Sequence, residues 1–170
     1  MAQDKLREKL TDYIDDAHAM EQSVLRMLDS MISTTGDPEI LEVLRHHKAQ
    51  TKQHEQRLRE RLEALGREPS TRKEAVSIAG ALAKGVADRL RNDKAGKNAR
   101  DGYVTEHMEI ASYELLERLA NRVDDPWTAE MARTIRADEE EMARKIASNW
   151  DKFVELTLYD EGIPDGYGRY

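Results

Sequence analysis

Apolar residues recur along this chain at steps of three and four, the period that collects them on one face of an α-helix. Leu6, Leu10, Tyr13, Ile14, Ala17, Val24, Leu28 and Met31 form one such stripe and predict a first helix over residues 4–33. The stripe breaks at Thr34-Thr35-Gly36-Asp37-Pro38, where Asp37 suits a helix cap and Pro38 the first helical position. Ile40, Leu41, Leu44, Leu58, Leu62 and Leu65 predict a second helix reaching Leu65, stopped by Gly66 and Pro69. Residues 70–90 read as a shorter, small-residue-rich helix, and residues 91–98 as a loop. A third long helix is predicted over residues 99–123, ended by Asp124-Asp125-Pro126. A fourth runs from Trp127 to Leu158, with Met131, Ile135, Met142, Ile146, Trp150 and Phe153 facing inward. The tail over residues 159–170, with three glycines and one proline, reads as irregular, leaving one domain over residues 1–158.

Two helix pairs joined by a long crossover have the connectivity of an antiparallel four-helix bundle of the ferritin-like kind, with the short helix as the crossover between the second and third bundle helices. The stripes that build it are not wholly apolar. Glu21 stands between Ala17 and Val24, and Glu139 between Ile135 and Met142. Glu106 and Glu109 share a face with Gly102, Tyr113, Leu116 and Val123. In the second helix the apolar stripe stops at Leu44 and resumes at Leu58, and the inward positions between are His47, Thr51 and His54. His18 sits beside the first stripe, and Asp138 and Glu140 flank Glu139. A lone glutamate at a stripe edge ordinarily reaches solvent, and a histidine such as His47 or His107 is ordinarily a packing or capping residue. Depth sets five residues apart: Glu21, His54, Glu106, Glu109 and Glu139 each fall near the middle of their own helix. In an antiparallel bundle those positions converge on one layer, where unpaired carboxylates would repel one another. A divalent cation turns that repulsion into binding.

Composition narrows the alternatives. Charged residues make up 36% of the 170 and hydrophobic residues 39%, the balance of long amphipathic helices with one solvated face. A net charge of −7, with Lys and Arg interspersed among acids, argues against nucleic-acid binding. The absence of cysteine excludes disulfides, thiolate catalysis and iron–sulfur clusters. The start MAQDKLREKL lacks the apolar core of a signal peptide, and no apolar run reaches membrane-spanning length, so a cytoplasmic chain without a membrane partner is expected. There is no phosphate-binding loop, dinucleotide fingerprint or nucleophile elbow.

Several segments resemble the YciE/YciF-like group of ferritin-like proteins, over Leu6 to Leu158. The segments are Ala19-Met20-Glu21 with Val24-Leu25 and Leu28, Thr51-Lys52-Gln53-His54 with Arg57-Leu58, and the run Thr105-Glu106-His107-Met108-Glu109-Ile110-Ala111-Ser112-Tyr113. Ala137-Asp138-Glu139-Glu140 occupies the corresponding fourth-helix region. The resemblance implies a ferritin-like bundle, a homodimer, a di-iron centre and a link to stress responses. Glu21, His54, Glu106, Glu109 and Glu139 match ligand positions, with Glu106 and Glu139 the bridging candidates. Di-iron bundles supply Glu-x-x-His from two helices. This chain offers Thr51-x-x-His54, Glu106-x-x-Glu109 and Glu139-x-x-Met142 instead. Carboxylate-rich ligation with one histidine suits iron, then manganese, with zinc a further option.

Two functions compete at this point. One is metal handling or redox chemistry with oxygen or peroxide at a carboxylate-bridged di-metal site, with Tyr113 one turn from Glu109. The other is a structural or interaction module that keeps the bundle and has lost the metal chemistry. The sequence does not decide whether the chain is an enzyme.

Overall fold

The computed structural model of the chain describes residues 2–70 and 94–163, and over these the protein is all-helical. Four long helices, α1 (Ala2–Thr34), α2 (Pro38–Ala64), α3 (Lys94–Arg122) and α4 (Pro126–Ala147), are followed by a short α5 (Trp150–Asp160). The short helix expected over residues 70–90 lies outside the described residues, apart from Ser70, which is not helical. Of the expected loop over residues 91–98, residues 94–98 belong instead to α3. Asn98 donates to Thr34 Oγ1 at 3.2 Å, and the backbone N–H of Gly96 donates to Thr157 Oγ1 at 3.0 Å. These contacts hold a polar stretch in helical form that a local reading leaves as loop.

Caps and turns act as their chemistry dictates. Asp37 Oδ1 accepts from the backbone N–H groups of Glu39 and Ile40 at 3.0 and 2.9 Å, with Pro38 at the first helical position. Such a cap is worth about 1 kcal/mol. Gly66, at φ 75°, supplies the left-handed residue that ends α2. Asp124, at φ 60°, turns the chain between α3 and α4, and Asp125 caps α4. Arg61 ties the end of α2 to that cap through Thr128 (2.8 Å) and Asp125 (2.5 Å).

Neighbouring helices run antiparallel. Lys48 meets Asp29, His18 meets Glu55 and Arg67 meets Asp12 between α1 and α2. Arg133 meets Glu117 and Arg136 meets Glu114 between α4 and α3. Tyr113 with Glu21 and Thr105 with Met27 link α3 to α1, and His54 with Glu139 links α2 to α4. The end of α2 therefore lies beside the start of α1, whereas the start of α3 lies beside the end of α1.

The fourth predicted helix is broken. Ser148 and Asn149 turn their side chains back onto the Lys145 carbonyl at 3.1 and 2.7 Å, competing with the backbone ladder, and α4 stops at Ala147. After the restart Phe153 is buried, but Trp150, expected inward, stays 37% exposed and packs edge-on against Tyr103. Tyr159 and Asp160, expected in the irregular tail, close α5, and residues 164–170 lie outside the described part.

Two apolar clusters fill the interior. One contains Leu10, Ile14, Leu58, Leu62, Leu116 and Ile135; the other contains Val24, Leu28, Leu44, Met142, Ile146 and Phe153. Between them lies a fully buried polar layer. Beside that layer Gly102 occupies a buried position inside α3, where a glycine costs about 1 kcal/mol of helix stability relative to alanine.

Candidate metal centre

Each long helix contributes to the polar layer because its inward stripe passes through it once. α1 brings Glu21, α2 brings His47, Thr51 and His54, α3 brings Glu106 and Glu109, and α4 brings Glu139; all are at most 1% exposed. The spacing of His47 and His54 is two helical turns, so both rings face inward. Thr51, between them, is occupied locally: its hydroxyl donates to the His47 carbonyl at 3.0 Å.

The side chains converge into two groups that share one member. Glu21, His54 and Glu139 bring ligand-type atoms within 4.8 Å of one another, and so do His47, Glu106 and Glu139. Glu139 Oε1 stands 2.9 Å from His54 Nδ1, and Oε2 stands 3.7 Å from His47 Nε2. Glu106 Oε1 lies 3.2 Å from His47 Nε2. These are close approaches off the hydrogen-bonding axes of the rings. Among the described residues, both ring nitrogens of His47, Nδ1 of His54, Oε2 of Glu21 and of Glu106, and both oxygens of Glu109 and Glu139 have no hydrogen-bond partner. Buried polar atoms are rarely left so, and a cluster of them is costly unless something binds there.

Neighbouring groups orient two of these side chains. His54 Nε2 lies 3.0 Å from Asp138 Oδ2; a carboxylate only accepts, so Nε2 carries the proton. In the neutral ring, Nδ1 is then a bare lone pair directed at the cluster, the tautomer a metal-binding histidine needs. Tyr113, fully buried, donates its hydroxyl to Glu21 Oε1 and leaves Oε2 free. His18, also buried, makes a separate pair with Glu55 at 2.8 Å.

The electrostatics follow from burial. Desolvation, reinforced by Glu139, pushes Glu21 up to about 8 against the pull of His54, Tyr113 and His47. Desolvation likewise carries Glu106 to about 7, with His47 opposing. Glu109 is held well above the usual carboxylate range by burial and then by the charges of Glu139, Glu21 and Glu106. Burial and the adjacent Glu21 also raise Tyr113. For Glu139 burial raises the pKa, but His54 and His47 outweigh it and the net shift is downward. Burial alone lowers His47, yet Glu106, Glu139 and Glu21 lift it to about 9. His54 is raised in the same way, chiefly by Glu139 and Glu21, once the opposing effect of burial is overcome.

All five residues singled out from the sequence, Glu21, His54, Glu106, Glu109 and Glu139, lie in this layer. Glu109 is within the layer but outside both groups of converging donors, and Glu106 enters only one of them. His47, discounted as a packing residue, belongs to the second group, so the layer holds two histidines. The signal that could have found it is its seven-residue spacing from His54 within a stretch where all inward positions are polar.

Helices that enclose buried carboxylates and imidazoles with unpartnered donor atoms define a protein whose interior could hold a metal ion. Residues 5–158 match the model of the family described as Domain of unknown function (DUF892), and the chain belongs to that family. The solved structures it is similar to agree with the YciE/YciF-like resemblance. A protein of Xanthomonas campestris pv. campestris is 25% identical, with a TM-score of 0.78 over 93% of this chain and 99% of that one. The Escherichia coli stress protein YciF is 17% identical, with a TM-score of 0.76 over 88% of this chain and 97% of that one. YcfI of Rhodopseudomonas palustris, described as a candidate structural protein, is 21% identical, with a TM-score of 0.72 over 84% of this chain and 92% of that one.

Proposed function

We propose that this protein is a ferritin-like four-helix bundle that binds a carboxylate-bridged pair of transition-metal ions, iron or manganese, in its polar layer. One observation carries the reading: Glu139 belongs to both groups of converging donors, and its oxygens are directed toward different histidines. In this reading Glu21 and His54 would help hold one ion and His47 and Glu106 the other, with Glu139 common to both groups. Glu109, with both oxygens unpartnered, would be a further carboxylate donor. The donor set of four carboxylates and two imidazoles suits iron and manganese, with zinc a weaker fit. A bound pair of these metals supplies Lewis acidity and, for iron or manganese, one-electron redox capacity.

The chain's own residues prepare the site. Asp138 holds the His54 proton on Nε2, and Tyr113 holds one oxygen of Glu21 and so sets the direction of the other. The cluster around Leu10, Ile14, Leu58 and Leu62 closes the layer on one side. Protonated Glu21 and Glu106 must lose their protons for the donors to serve, so metal competes with protons for the same atoms. A role in stress-linked metal handling or oxygen and peroxide chemistry, as a cytoplasmic homodimer, is part of this proposal; the stress description belongs to the Escherichia coli neighbour.

Metal analysis after reconstitution with iron(II) or manganese(II) and desalting tests it. About two ions per chain are expected for a carboxylate-bridged pair, and Glu139→Ala should lose both. Less than one ion per chain in the unaltered protein would overturn the proposal.

A second reading takes the layer as self-compensated. His47 beside Glu106, and His54 between Asp138 and Glu139, can neutralise part of the charge without any ion. The protein would then be a structural or interaction module. Under that reading Glu139→Ala, which takes the buried carboxylate away from His54 and His47, lowers the melting temperature equally with and without metal.

A further inference from the structure

At the end of the helices away from the Arg61–Asp125 pair, a cavity of about 630 Å³ opens between the end of α1, the start of α2, the start of α3, the end of α4 and α5. Its volume is within the range of sites that enclose a small organic ligand. Met27, Met31, Leu44, Ile146 and Phe153 give it an apolar wall, and three of its lining residues are methionines, whose flexible thioethers adapt to irregular apolar shapes. Glu106, 1% exposed and with Oε2 unpartnered among the described residues, also lines it, so the cavity reaches the polar layer.

Gly102 adds an independent observation. It is buried inside α3 and lines the same cavity. A methyl group there would sit 3.5 Å from Ile146 Cδ1 and 3.9 Å from Met31 Cε, which is ordinary contact. Alanine would fit and would favour the helix, and no described neighbour demands the glycine. Its effect is to leave the cavity wider beside Glu106.

The rim decides the charge of the occupant. Of the two lysines lining the cavity, Lys152 already meets Glu39 at 2.5 Å and Asp37 at 3.2 Å, and Lys145 meets Glu141 at 2.7 Å. Neither is left to attract an anionic head group. We propose that the cavity binds an apolar organic molecule without an anionic group, with Gly102 keeping the space open and Glu106 at its inner wall. This site stands whether or not the polar layer holds metal.

The neutral fluorophore N-phenyl-1-naphthylamine, titrated into the full chain with and without prior chelation, tests the proposal. The expected result is saturable binding to one site per chain with a Kd in the micromolar range, the same in both preparations. Gly102→Leu should weaken binding by about tenfold or more, with helicity retained. Ala99→Met, which narrows the same cavity, gives the same readout should Gly102→Leu fail to fold. Leu115→Ser, on the exposed face of α3, should leave binding unchanged. The neutral alcohol 1-decanol should displace the probe at concentrations about tenfold below those needed with decanoate. Absence of saturable binding, or binding that neither cavity variant weakens, overturns the site; displacement by decanoate as readily as by 1-decanol overturns the exclusion of an anionic group.

Discussion

His54 and Asp138 meet at 3.0 Å through Nε2, and the other ring nitrogen, Nδ1, stands 2.9 Å from Glu139 Oε1. Asp138 is partly exposed and lies outside the converging donors, so its effect on the layer passes through the imidazole it orients. Asp138→Ala should weaken metal binding about 10–100-fold, the usual effect of losing a carboxylate behind a ligating histidine. Competition against a chromophoric chelator measures it. An affinity equal to that of the unaltered protein would show that Asp138 does not position the ring.

The pH dependence of the metal-free protein follows from the raised acids. Folding lifts Glu21 from 4.5 to about 8 and Glu106 from 4.5 to about 7. The stability these groups contribute is complete below the unfolded value and is lost as pH climbs through the folded values. His47, lifted from 6.5 to about 9, acts in the same direction at higher pH. Glu139, shifted downward, acts oppositely and only as pH falls below its ordinary 4.5. The melting temperature of chelated protein should therefore be highest near about pH 5 and fall steadily to about pH 9. Metal binding should strengthen over the same interval, because the ion displaces protons. Scanning calorimetry at several pH values, with and without metal, gives both slopes.

Glu109 carries both of its buried oxygens without a partner. Replacing it with methionine should stabilise the chelated protein by about 1–3 kcal/mol, the desolvation cost of an unsatisfied polar group, as read from urea unfolding. The same change should reduce metal retention. A stabilised variant that keeps full metal content would remove Glu109 from the donor set.

Tyr113 is the described donor to Glu21 Oε1. Tyr113→Phe keeps the ring volume and removes the hydroxyl, leaving that carboxyl oxygen buried without a donor. Chelated protein should lose about 1–3 kcal/mol in urea unfolding. Because burial holds the phenol well above its ordinary range, Tyr113 should contribute no phenolate absorbance until the fold is lost. A phenolate signal at pH 10 from a site-specific difference spectrum would contradict its closed environment.

The helices were legible wherever local chemistry closes them. Asp37-Pro38 and Asp125-Pro126 start helices by supplying a side-chain acceptor and a preset φ, and Gly66 ends one by adopting φ 75°. The break at Ser148-Asn149 was not legible, because both residues are tolerated in helices and only the competing bonds to Lys145 reveal it. Extending the stripe across that break points Trp150 inward, whereas the restart of the helix leaves it at the surface. The polar layer was legible because a carboxylate at an apolar position is conspicuous against its neighbours. His47 was legible only through its seven-residue spacing from His54, since a histidine taken alone is ordinary on a packing stripe.

The sequence by itself determined which residues face inward, because a period of 3.6 residues fixes each side chain's bearing on its own helix axis. It thereby determined that acids and histidines from all four long helices occupy the interior. Only the tertiary structure decided how they meet. The sharing of Glu139 between two groups, the Asp138 contact that sets the His54 tautomer, and the space beside Gly102 depend on the axial register and rotation of one helix against another. Those are set by packing between residues distant in the chain, and no periodicity within a helix encodes them.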